Sequence, residues 1–91
     1  MIMTLAFLNP SRAFDGARNA VSFIGHDGMF EIRFFVEAAA LASRQERKAT
    51  MSEAEFLSAF DAMRPSIQDV ARDVYSRRRS NLNTLSVADF R

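Results

Sequence analysis

The sequence contains no cysteine, one histidine, two prolines and three glycines in 91 residues. Without cysteine there is no disulfide framework, no thiol nucleophile and no thiolate metal site. A zinc site built on the single histidine would need three carboxylates, an improbable donor set, and the sequence implies no cofactor. No apolar run approaches the ~18 residues that a membrane helix needs, so no membrane partner is expected. The opening Met1-Ile2-Met3-Thr4-Leu5-Ala6-Phe7 has neither a basic start nor a long apolar core. It is therefore not expected to be a signal peptide, and the cytoplasm is the default location. A glycine-rich phosphate loop, an RNA-binding aromatic signature and helix-turn-helix spacing are missing too. The net charge of +1 is too small to argue for a polyanionic partner.

What is present is a strongly patterned chain. Hydrophobic residues make up 48% of it, enough for one small domain over residues 1–91. A chain of this length buries only ~60–65% of its unfolded surface, so its stability margin is thin and self-association would help. The most organised stretch runs from Ser52 to about Arg79. At 100° per residue, Phe56, Phe60, Met63, Ile67, Val70, Ala71 and Val74 share one face, while Ser58, Asp61, Pro65, Asp69, Arg72 and Ser76 take the other. Ser52 and Glu55 have capping-box spacing, and Met51 and Phe56 that of a hydrophobic staple. Acid gathers early and base late, as the helix dipole favours. Asp61/Arg64, Asp69/Arg72 and Asp73/Arg77 are spaced to pair along the helix. Pro65 interrupts this pattern, but the apolar phase continues through it on the opposite face. One long, Pro-kinked helix is the expectation, with a break near Met63–Pro65 as the alternative.

The first half reads as strand. Residues 2–8 are apolar and end at Asn9-Pro10, a turn signal and the expected site of a chain reversal. Arg12–Phe14 is a short extended stretch, Asp15-Gly16 a hairpin signal, and Ala20–Ile24 a strand. Gly25-His26-Asp27-Gly28 reads as a second turn, after which Met29–Val36 alternates apolar Phe30, Ile32 and Phe34 with polar Glu31 and Arg33. Residues 1–36 are thus mainly β, an antiparallel meander of about three strands. Residues 37–79 are mainly helical. A short helix follows Val36, and Gln45–Thr50 is polar and aperiodic, an exposed loop before the Ser52 cap. Asn81 is a candidate left-handed residue closing the long helix. Within residues 80–91, Thr84–Val87 could be a final edge strand, or Ser86 and Asp89 could cap a terminal turn that docks Phe90. The fold class is α+β.

Several short stretches, in matching order nearly end to end, are similar to a small bacterial family catalogued as domain of unknown function 1488. They are Asn9-Pro10-Ser11-Arg12 with Phe14-Asp15, Val21-Ser22-Phe23 before Gly25-His26-Asp27, Phe34-Phe35-Val36, Ala59-Phe60-Asp61 and Ala88-Asp89-Phe90. The resemblance implies a single α+β domain with an N-terminal antiparallel sheet and C-terminal helices. It implies no reaction, ligand or partner. Two positions depart from the family pattern: Pro65 replaces a helix-compatible residue, and Ile24 an aromatic one.

Candidate chemistry is sparse. His26, between glycines and Asp27, could be an exposed general base, but local sequence supplies neither nucleophile nor orienting partner, and a plain turn residue is the better reading. Asp15 and Asp27 could pair at one end of the sheet, yet aspartate is also what turns require. Arg77-Arg78-Arg79 reads either as a phosphate-binding patch or as a basic helix end facing its own carbonyls, and the second is preferred. Phe35 sits on the Glu31/Arg33 face of its strand, either covered by the short helix or exposed for a partner. The expected function is a small non-enzymatic interaction or regulatory module, a homodimer or a binder of another protein. Phe35, Arg77, Arg78 and Arg79 are its candidate interaction residues. A nucleic-acid accessory protein using Arg77–Arg79 is the alternative, and an enzyme ranks third.

Overall fold

The computed structural model describes residues 5–43 and 52–90. The loop expected at Gln45–Thr50 and the Met51 half of the staple lie outside them. Five strands form one mixed sheet: β1 (Leu5–Ala6), β2 (Ala13–Asp15), β3 (Ala20–Asp27), β4 (Phe30–Glu37) and β5 (Leu82–Leu85). The helices are α1 (Ala38–Ser43), α2 (Glu53–Ala62) and α3 (Arg64–Arg78), and a 3-10 turn at Val87–Phe90 ends the described chain. β3 pairs with β4 along its whole length and with β1 and β2 on its other side, all antiparallel; β5 lies parallel to β4. This is the α+β architecture expected, with the final edge strand present.

Alternation in β3 and β4 decides which face is buried. Val21, Phe23, Ile32, Phe34 and Val36 point to one side and join Phe60, Met63, Ile67, Ala71 and Val74 of the helices in a single core. Ser22, Ile24, Glu31 and Arg33 point to the other side. Within the core, the Phe23 ring stacks on Phe34 at 5.2 Å between centroids and meets Phe60 at a tilt of 58°, also at 5.2 Å.

Each turn solves a local backbone problem, and two differ from expectation. Asp15-Gly16 is not a two-residue hairpin. Asp15 instead ends β2, and its Oδ1 accepts from the N–H groups of Ala17 and Arg18, so residues 16–19 form the loop and Asn19 takes the positive φ of 53°. Gly25-His26-Asp27 is strand rather than turn. Only Gly28-Met29 reverses the chain, with φ +62° at Gly28, the pattern of a type II′ turn. Gly25 is glycine for a different reason: a Cβ there would lie 2.9 Å from Phe7 Cε1, so Phe7 could not close over β3.

The long C-terminal helix is present but jointed. Ser52 caps α2 with the expected box, Ser52 Oγ accepting from Glu55 N (3.2 Å) and Glu55 Oε1 from Ser52 N (2.8 Å). Met63, at φ −101° and ψ 7°, ends α2 and starts α3. An uninterrupted kinked helix is therefore not what forms; the break near Met63–Pro65 is. Pro65 falls in the first turn of α3, where its missing N–H has no helical partner to lose. The apolar phase survives because Met63 N still donates to Ala59 O (3.0 Å) and Ile67 N to Met63 O (2.9 Å). At the far end the left-handed cap is Arg79 (φ 54°), not Asn81. All three pairs expected along the helix form. The edge strand forms at Leu82–Leu85, two residues before the expected Thr84–Val87, and the cap forms as well: Ser86 N donates to Asp89 Oδ2 (2.9 Å) and Phe90 packs against the core. Among the described residues no helix is long and apolar enough to cross a membrane.

Two consequences are measurable. Ser52→Ala should lower stability by ~1 kcal/mol, because the Glu55 N–H loses its acceptor. Pro65→Ala should destabilise by roughly 0.4–1 kcal/mol, since proline at a compatible first-turn position mainly restricts the unfolded chain. Urea unfolding reads both; a more stable Pro65→Ala variant would show that proline strains the joint.

Candidate functional site

β1 and β2 are two pieces of one edge strand, both antiparallel to β3, so the chain does not reverse at Asn9-Pro10 as expected. Ala6 lies opposite His26 and Ala13 opposite Ser22. Residues 7–12 therefore pass over a stretch that β3 crosses with only 23–25, an insertion of about three residues, which makes this an unusually large bulge. Pro10, which has no N–H, sits within it. The bulge opens a pocket of about 160 Å³ lined by Ser11, Arg12, Ala13, Ser22, Phe23, Ile24 and Arg33.

The two arginines of this pocket differ. Arg12 reaches across to α2, its Nε donating to Asp61 Oδ1 (2.9 Å) and its Nη2 to Asp61 Oδ2 (2.7 Å). Arg64 Nη2 donates to the same Asp61 Oδ1 at 2.9 Å. The hydrogen bond from Arg12 leads; it outweighs the opposing desolvation and, with the hydrogen bond from Arg64 and the charges of both, holds the Asp61 carboxyl below the ordinary carboxylate range. Arg33, by contrast, is exposed, and among the described residues its guanidinium makes no hydrogen bond, ion pair or ring contact. It lies in a row across the solvent face, between Ile24 on β3 and Leu82 on β5. Leu82 is 47% exposed. Sequence reasoning did not single out Ser11, Arg12, Ser22 or Arg33 as site residues, and noted Ile24 only as a departure from the family pattern. The signals were Asn9-Pro10 within an otherwise extended stretch and the alternation that turns Arg33 outward.

The residues that sequence did single out lie elsewhere. Asp15 and Asp27 pair with or sit at opposite ends of the eight-residue strand β3, about 23 Å apart at ~3.3 Å per residue, so they do not converge. Asp27 faces the helices, where its Oδ2 accepts from Tyr75 Oη at 2.6 Å. That hydrogen bond, then burial, raises the Tyr75 phenol above its usual value. His26 faces the opposite side from its neighbour Asp27, and its Nδ1 is buried without a hydrogen-bond partner. No histidine–aspartate pair forms. Among the described residues no cluster of three or more His, Cys, Asp or Glu could hold a metal.

Phe35 is 5% exposed, with the Arg18 guanidinium 4.3 Å above its ring. The exposed anchor considered from sequence is therefore not formed; the ring is covered, with Arg18 over it. The basic run is also engaged internally. Arg77 bonds Asp73 (3.1 Å), Arg78 lies 3.7 Å from Asp89, and Arg79 stands 5.3 Å over the Tyr75 ring.

With fold and pocket described, the lineage is plain: this chain belongs to the DUF1488 family, proteins of unknown function, whose sequence profile matches residues 5–86. It is similar in fold to the crystal structure of a DUF1488 protein of unknown function from Shewanella loihica PV-4. The two share 17% identity and superpose with a TM-score of 0.74 over 91% of this chain and 93% of that one. No curated protein matches the sequence.

Asp61 gives a prediction with a definite sign. Its folded pKa is depressed, so its contribution is present above the ordinary carboxylate pKa and is lost as pH falls through the folded value. Asp61→Asn should therefore melt below wild type at neutral pH, and the gap should close as pH falls through the depressed folded value of Asp61. A gap that persists in acid would mean that the side chain acts through packing rather than charge.

Proposed function

We propose that this protein is a small non-enzymatic interaction module of the cytoplasm that engages another protein through the solvent face of its sheet, on the row Ile24–Arg33–Leu82. The observation that carries the reading is Arg33. An arginine flanked by partly exposed aliphatic side chains, on the part of the outer sheet face beyond the buried Ala20 and Phe35, has the composition of an interface centre. The buried residues of α2 and α3 all join the core on the opposite face, so they leave this one open.

The competing readings have less support. A nucleic-acid surface at Arg77–Arg79 would have to displace Asp73, Asp89 and the Tyr75 ring first. A homodimer joined at sheet edges meets blunted edges on both sides. One carries the Pro10 bulge. On the other, the Ser80 hydroxyl occupies both the N–H (3.3 Å) and the C=O (3.0 Å) of Leu82, which leaves little of the short β5 for pairing. Acid–base chemistry would need His26 and the aspartates to meet, and they lie apart.

Affinity capture from native lysate, with and without nuclease, tests this reading. One protein should be recovered in stoichiometric amount regardless of nuclease, and Leu82→Asp, at an exposed position, should lose it while keeping a native circular dichroism spectrum. Nuclease-sensitive recovery, or full recovery by Leu82→Asp, would contradict it.

A further inference from the structure

Eight arginines lie within the described residues, and seven have a partner on this chain: Arg12 and Arg64 on Asp61, Arg18 on Asp15 and the Phe35 ring, Arg72 on Asp69, Arg77 on Asp73, Arg78 on Asp89 and Arg79 on the Tyr75 ring. Arg33 alone among them has none. Glu31, the nearest carboxylate along its own strand face, forms no ion pair with it. The wall beside Arg33 adds further positive charge, because Arg12 and Arg64 share the single carboxylate of Asp61.

The backbone of the pocket is also incomplete. The Gly28-Met29 turn sets the ladder so that Val21, Phe23, Gly25 and Asp27 exchange hydrogen bonds with β4, and Ala20, Ser22, Ile24 and His26 face the edge strand. β2 takes Ala20 and Ser22, and β1 takes His26. Ile24 falls in the gap, so its N–H and C=O open into the pocket. One wall thus offers an unengaged guanidinium, the Ser11 hydroxyl and an unpaired amide, with the Ser22 hydroxyl donating to Ala13 O (3.4 Å), and the Ile24 and Ala13 side chains make it partly apolar.

From this arrangement we infer that the pocket at the interrupted edge strand is a carboxylate-binding site, taking a chain-terminal or Asp/Glu carboxylate of an extended peptide on Arg33 and the Ile24 amide. The inference rests on the proposed interaction module and specifies the group that its partner supplies. Size favours a side chain or chain end. At about 160 Å³ the pocket is well below the ~300–1,000 Å³ of sites for drug-sized ligands, so a nucleotide does not fit. Charge-assisted, two-point hydrogen bonding suits guanidinium to carboxylate, and a peptide N–H or C=O can complete the one open rung at Ile24.

The test uses the whole chain, isotope-labelled, with NMR of the Ile24 amide and the Arg33 Nε–H. Four probes are titrated: an acetylated dipeptide with a free C-terminal carboxylate, its C-terminal amide, a tripeptide capped at both ends around a central glutamate, and inorganic phosphate. At least one carboxylate probe should shift both signals, and the stronger of the two identifies the source. Arg33→Gln should weaken that binding about tenfold or more. Since the Arg33 guanidinium has no hydrogen-bond, ion-pair or ring partner among the described residues, this variant should stay native. Equal binding of the amide, tighter binding of phosphate, no shift with any probe, or undiminished binding by Arg33→Gln would each overturn the assignment. Failure here together with Leu82→Asp-sensitive protein capture would leave the interaction module standing without a carboxylate ligand. Peptide binding without protein capture would do the reverse.

Discussion

The inner face of the β3–β4 hairpin, with Val21, Phe23, Ile32, Phe34 and Val36, has to be covered, and α2 and α3 cover it with Phe60, Ile67, Ala71 and Val74. At roughly 1.5–3 kcal/mol for each large apolar side chain fully buried, this contact outweighs any surface ion pair in the protein. Other features follow from it. α2 and α3 must keep one apolar phase across Met63, which is why a proline is tolerated only where the joint already lies. Gly25 must lack a side chain so that Phe7 can seal the end of the same face. The alternation that buries these residues also sends Ile24, Arg33 and Leu82 to the other side, where no core demands them.

Much of the arginine content has a structural use. Arg18, Arg64, Arg72 and Arg79 lie over the rings of Phe35, Phe60, Phe7 and Tyr75, with guanidinium-to-centroid distances of 4.3, 4.9, 5.0 and 5.3 Å. A small domain cannot surround its aromatic residues completely, and a planar, weakly hydrated cation can close the remaining gap while staying in water. The Arg77–Arg79 run, the most conspicuous charge in the sequence, belongs to this economy. The functional interest moves to the one described arginine outside it.

Sequence pattern revealed the class of the fold, the Ser52 cap, the helix-face pairs and the core stripe of α2 and α3, because all of these are set by local spacing. The joint at Met63 was visible only as a choice, since a proline within an apolar phase fits both a kink and a first turn. Asp15-Gly16 and Gly25–Gly28 misled for one reason: turn-forming residues do not say whether they will cap a neighbour, admit a ring or reverse the chain. The pocket was hidden because it exists only through pairing. Nothing local to Ser22 or Ile24 shows that the strand beside them carries extra residues, and Arg33 looks like any polar strand position until each of the other described arginines is seen to have a partner.

The central claim is a division of labour between the two faces of one hairpin, the inner for stability and the outer for binding. Equilibrium urea unfolding of adjacent-position variants measures it directly. Phe34→Ala should cost about 3–5 kcal/mol, as a large core deletion does, while Arg33→Gln should remain within about 0.5 kcal/mol of wild type or exceed it. A loss of stability in Arg33→Gln comparable to that of Phe34→Ala would show that the outer face also holds the fold together, and would contradict the account.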